Sequence, residues 1–209
     1  MKEPKSGSGE RGFTLIELVV VLAILLMSML LAAPYLFTQV RRAKLIGVAN
    51  QVVGLMRVAR LEAIKRSTTG VVEIDPARKL VRSYVDADGS LTYNAGDILM
   101  AEVPLPNGVS FTAPDGAVNA LSIRNFTDPG GGLPRVAVFL NDGSIRDPGA
   151  IRLCGQEAQG RSANYLEVNV APQATARIEI RKYKGPNVDT DWYANGEGAT
   201  GNGRAWTWN

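Results

Sequence analysis

The sequence predicts an α+β protein: a long, kinked N-terminal transmembrane α-helix packed on a C-terminal antiparallel β-sheet head. Three observations carry this. An almost unbroken apolar block runs from Leu18 to Phe37, interrupted only by Ser28, Pro34 and Tyr35. A helical stripe continues beyond it. After Thr68 the pattern changes to short strands punctuated by Gly, Pro, Asn and Asp.

The block comes first. About twenty apolar residues at 1.5 Å rise per residue match the hydrocarbon thickness of a bilayer. A short leader with Lys2, Lys5 and Arg11 precedes it. A cleaved secretory signal would explain the leader, but the apolar core is too long and Pro34 directly after "LAA" makes a poor cleavage site. An ordinary signal anchor fits the length and leaves Glu17 without a purpose. A carboxylate within a span costs on the order of several kcal/mol, less near the end, and usually marks function.

"RGFTLIELVVVLAILL" closely resembles the class III signal of type IV pilins and type II secretion pseudopilins, with Arg11, Gly12, Phe13, Thr14, Leu15, Ile16 and Glu17 at the family's positions. The resemblance implies cleavage by a prepilin peptidase between Gly12 and Phe13, and N-methylation of Phe13. It also gives Glu17 a partner. In a growing filament its carboxylate can meet the Phe13 amine of a neighbouring subunit, each charge neutralising the other's burial. The charge balance does not fix orientation, because Arg41, Arg42 and Lys44 follow the span much as Lys2, Lys5 and Arg11 precede it. The resemblance places the leader in the cytoplasm and the head in the periplasm, with other pilin subunits, the prepilin peptidase, an inner-membrane assembly platform and membrane lipid as partners.

Helical periodicity persists past the block. Leu45, Ala49, Val52, Met56, Ala59 and Ala63 recur at spacings of three and four, with Arg41, Arg42, Arg57, Arg60, Lys65 and Arg66 mostly off that stripe. One helix is expected from about Phe13 to Arg66. Pro34 has no N–H to donate and should kink it or melt a turn. Gly47 and Gly54, one heptad apart, should allow close approach of the sheet or of another helix. "ARLEAIKRSTTGVVEID" is similar to the helix end and following strand of pseudopilin H and of FimT-type minor pilins.

The strands follow in order. "GVVEID" and "KLVRSYVD" flank "PAR" as a hairpin. "DADGSLTYN" holds a turn at Asp88-Gly89. "DILMAEVPLPNGVSFT" reads as a strand, a Pro/Gly break and a short strand, followed by "ALSIRNF". "TDPGGGLP" is a loop. "RVAVFLNDGSIRD" reads as a strand, a turn at Asp142-Gly143 and a short strand, and "YLEVNV" with "ARIEIRKY" closes the head as a last hairpin. The implied layout is a leader (1–12), a transmembrane helix half (13–37), an amphipathic helix half (38–66), a sheet head (67–184) and a Gly/Asn-rich tail (185–209). That tail carries Trp192, Tyr193, Trp206 and Trp208, and reads either as a flexible segment or as aromatics docked on a neighbour.

Composition narrows the chemistry. The 209 residues hold no histidine, which removes the usual general base and the histidine metal ligands. No phosphate-cradling glycine motif occurs. One cysteine, Cys154, cannot form an intrachain disulfide and reads as a small buried hydrophobe. Asp86, Asp88 and Gly89 lack the acidic first and last positions of a calcium loop and read as a plain turn. No metal, no cofactor and no catalytic residue is expected. Arg177, Arg181, Lys182 and Lys184 form a small basic cluster. FimT-type pilins can bind DNA through a Gly-Arg-x-Arg motif, but here the glycine is missing. Arg177, Glu179 and Arg181 share one strand face, as expected of a solvated ion-paired surface. The reading is a non-enzymatic minor pilin or pseudopilin of a type II secretion pseudopilus or type IV pilus, with a DNA-binding minor pilin of an uptake pilus as the alternative.

Overall fold

The computed structural model describes residues 13–114, 122–155, 164–184 and 192–194. The chain divides into two compact units, Met1–Gln39 and Val40–Asn209. A single helix, α1 (Leu15–Arg66), begins in the first and ends in the second.

In the first unit the helix starts at a cap. Thr14 Oγ1 accepts the backbone N–H of Glu17 at 3.2 Å, satisfying one of the donors left open at a helix N-terminus. From Phe13 through Phe37 the large apolar side chains described are all exposed. By length and composition the stretch can cross a membrane. Ser28 Oγ donates to the Ile24 carbonyl at 2.8 Å, so its hydroxyl is satisfied within the helix where lipid would offer nothing. The helix is continuous through Pro34, so the expected melted turn does not form there.

In the second unit the helix is amphipathic, as its spacing requires. Leu45, Ala49, Val52, Met56, Ala59 and Ala63 are all fully buried. The helix ends in a Schellman arrangement. Ser67 N–H donates to the Ile64 carbonyl (3.2 Å) and Thr68 N–H to the Ala63 carbonyl (3.0 Å), with Ser67 in the left-handed region at φ 52°. Glu62 accepts from Lys65 and Arg66 over the last turn, which completes the "EAIKR" pattern.

Among the described residues ten strands follow: β1 (Thr69–Asp75), β2 (Leu80–Asp86), β3 (Ile98–Pro104), β4 (Val109–Phe111), β5 (Ile123–Arg124), β6 (Arg135–Phe139), β7 (Gly149–Gly155), β8 (Asn164–Val170), β9 (Ile178–Tyr183) and β10 (Trp192–Ala194). They build two antiparallel sheets. One has the order β3-β2-β1-β6; the other runs β10-β9-β8-β7-β4, with β5 also paired to β7. Both contribute to one core against the helix: Val72, Ile74 and Phe139 from the first, Ile151, Leu153 and Val168 from the second. The first sheet also buries part of its outer face, where Val71, Tyr84, Val136 and Val138 lie under Leu91, Tyr93 and Leu140.

Two glycines show how close the layers come. A Cβ on Gly70 would lie 2.2 Å from the Ala59 carbonyl oxygen, so β1 can leave the helix only where there is no side chain. At Gly143, in the turn after β6, φ is +81° and a Cβ would meet Ile64 Cδ1 at 2.8 Å. Gly47 and Gly54 behave otherwise. A Cβ on either would have nothing within 4 Å, so the expected approach of the sheet does not occur at these positions.

The expected hairpins form: β1 with β2, and β8 with β9. The short strand expected after Asp142-Gly143 is a single bridge, Ile145 with Phe139, and two further features differ from expectation. "AIRLC" is more than an apolar run, since β7 is an interior strand buried at all seven positions. The sheet also continues past Lys184, because β10 adds to β9 with Trp192 opposite Tyr183 and Tyr193 opposite Lys182.

Candidate functional site

The N-terminal motif comes first. Gly12 and the leader lie outside the described residues; Phe13 and Glu17 are inside and exposed. Glu17 is the sole acidic residue between Phe13 and Leu61. It stands in the first turn of α1, three residues after the Thr14 cap. The N-terminal dipole favours a carboxylate there, which eases its place beside an apolar span. "T-x-x-E" is a helix-start signature, and it was present in the sequence although only the family motif was read from it. The bond that forms uses the Glu17 backbone N–H, which leaves the side chain available to another group.

The basic cluster at β9 divides by strand face. On the outer face Glu179 binds both neighbours: Arg177 through a close ion pair, and Arg181 at 3.2 Å. Lys182 points the other way and is buried. Burial first, then the charges of Lys184 and Arg42, lower its pKa to about 8. Lys184 is exposed. The four residues therefore do not converge into one cationic surface.

Across β7 and β8, on the same sheet face as Arg181, lies an arrangement that sequence reasoning missed. Arg152 on β7 is fully buried and pairs with Glu167 on β8 at 3.0 Å. Its guanidinium lies 5.0 Å from the ring centroid of Trp192. Arg152↔Glu167 are register partners. The only signal was two opposite charges inside apolar strands. Cys154, beside them on β7, is buried as expected, and burial pushes its thiol pKa up.

The Asp88-Gly89 turn is a closed loop. The carboxylates of Asp86, Asp88 and Asp97 lie within 4.8 Å of one another, a spacing that could hold a cation. Each oxygen already accepts a loop donor. Asp86 takes Gly89 and Leu91 N–H, Asp97 takes Ala87 and Asn94 N–H, and Asp88 takes Ser90 N–H and Asn94 Nδ2. The bond from the Ser90 side chain, first among several, holds the Asp88 carboxyl below its usual range. Asp97 completes the loop from nine residues beyond Asp88, which explains why the sequence offered only two of the three.

With no histidine, neither a nucleophile–histidine pair nor a histidine metal-ligand set can form in this chain. What the structure offers instead is a capped apolar helix with one carboxylate at its start, continued into an amphipathic half that covers antiparallel sheets. That combination defines a pilin-like, membrane-anchored assembly subunit. Residues 48–173 match the family described as Type II transport protein GspH, and residues 7–33 match the prokaryotic N-terminal methylation motif. The first match covers more than half of the sequence, and the chain belongs to the GspH family of minor pilins and pseudopilins. No curated protein matches it. Among solved structures, the type IV minor pilin FimU of Pseudomonas aeruginosa is loosely similar, with 16% identity and a TM-score of 0.39 over 69% of this chain and 91% of that one.

Proposed function

We propose that the chain is a non-enzymatic minor subunit of a type II secretion pseudopilus or type IV pilus. A prepilin peptidase cuts after Gly12, Phe13 is N-methylated, and the head stands in the periplasm. The Glu17 carboxylate then pairs with the Phe13 amine of an adjacent subunit during assembly from the inner-membrane platform. Pro34 gives the helix a place to flex as the subunit leaves the bilayer. The observation that carries this reading is Glu17 itself: one carboxylate in a long stretch without another, at the start of a lipid-facing helix. Left unpaired it is costly in hydrocarbon; paired, it sets the axial stagger of subunits.

The DNA-binding alternative draws no support from β9. Arg181 on the strand and Arg177 just before it share the single carboxylate of Glu179, and Lys182 is buried.

Glu17→Ala is the test. The variant keeps the backbone N–H that Thr14 caps, so the helix start is preserved. It should reach the membrane at normal or higher levels and be largely absent from sheared filaments. Comparing membrane and filament fractions reads both. Normal incorporation would show that this carboxylate is not the assembly determinant.

A further inference from the structure

From Leu18 to Leu61 the chain has no acidic residue, yet Arg41, Arg42 and Lys44 stand four to seven residues after Phe37. β9 brings more positive charge to the same place. Ile178 and Ile180 line a groove with Ile46, Asn50 and Val53, so the strand lies alongside the helix. Lys182, the next residue on that face, feels the charges of Arg42 and of Lys184. The strand face therefore advances toward the helix residues nearest the apolar stretch, and Lys184 follows one step beyond Lys182. Glu179, the only carboxylate on β9, is committed to Arg177 and Arg181 on the opposite face. Lys44 and Lys184 are both exposed. Two elements distant in sequence thus concentrate cations at the end of the head where the chain enters its apolar segment.

We propose that Arg41, Arg42, Lys44 and Lys184 form a cationic collar that binds the phosphate headgroups of anionic phospholipids. The proposal rests on the membrane-anchor reading of Leu15–Phe37 and adds a lipid selectivity that an apolar anchor alone does not confer. A neutral span partitions into any fluid bilayer; basic side chains at its margin favour anionic lipid over zwitterionic lipid, with an attraction that falls within a Debye length and weakens in salt. The collar would hold an unassembled subunit against the bilayer until filament contacts replace the lipid.

The experiment uses the full chain reconstituted in phosphatidylcholine vesicles, with trace spin-labelled phosphatidylglycerol or spin-labelled phosphatidylcholine. Vesicle flotation comes first; a protein that does not float with either composition overturns the anchor reading and the collar with it. For a protein that floats, the relative association constant should favour phosphatidylglycerol by roughly threefold or more at low salt. It should fall toward equality in high salt and in the Lys44→Glu/Lys184→Glu double variant, while Lys44→Arg/Lys184→Arg keeps the preference. Both altered positions are exposed, and circular dichroism checks that the variants fold alike. Equal association of the two lipids with the wild type, or a preference unchanged by charge reversal, overturns the collar. So does inorganic phosphate in detergent displacing the labelled phosphatidylglycerol at micromolar levels, which would make this a free-phosphate site.

Discussion

Arg152 and Glu167 show at the scale of single residues what burial demands. Two opposite charges sit inside a sheet, where desolvation roughly offsets their attraction. Removing Glu167 takes from the buried guanidinium its carboxylate partner. Glu167→Gln should therefore destabilise the head by about 3 kcal/mol, whereas Arg152→Met with Glu167→Leu should recover most of that loss. Denaturation of the two variants in detergent reads the difference; equal losses would mean the pair is not coupled. Lys182 gives a pH signature. Its folded pKa of about 8 lies below the 10.5 of the unfolded side chain. Between those values the unfolded state binds more proton than the folded one, so this residue makes stability rise as pH increases from about 8 toward 10.5. Lys182→Met should flatten that rise in melting temperature relative to wild type. An identical pH profile in the variant would remove Lys182 as its source.

At the scale of elements, the helix end is the most informative. The Schellman motif calls for a left-handed residue, and Ser67 takes that position where glycine would do so without a Cβ penalty. Ser67→Gly should stabilise the head by about 1 kcal/mol, read as a higher melting temperature. A lower one would mean that Ser67 makes contacts worth more than its backbone strain. Elements also show what could be read in advance. The helix stripe was legible residue by residue, because 3.6-residue periodicity is imposed by one buried face. The β1–β2 hairpin was legible from the "PAR" turn between its strands, and the β8–β9 hairpin from its two strand-like runs. β7 was not read as a strand because it is buried on both faces, which erases the alternation that marks a half-buried strand. β10 was hidden in a segment whose composition reads as a loop, and only its pairing with β9 reveals it. The division into two sheets was equally invisible, since it depends on which distant strands pair.

At the scale of the whole molecule, the anchor and the site at its start were legible because both are local in sequence: an apolar length, and a motif of seven residues. The arrangements that were missed join residues far apart, as Asp97 does to Asp86, Trp192 to Arg152, and Lys184 to Arg42 through Lys182. The central claim is that this GspH-family chain is matured as a pilin-type subunit, and the chemistry of its N-terminus tests that most directly. Intact-mass and N-terminal peptide mass spectrometry of the protein from its native membrane should show a chain beginning at Phe13 and carrying one extra methyl group on the α-amine. Replacing Gly12 with a bulky residue should leave the leader attached. A mature protein that begins at Met1, or one cut after Ala33, would contradict the account.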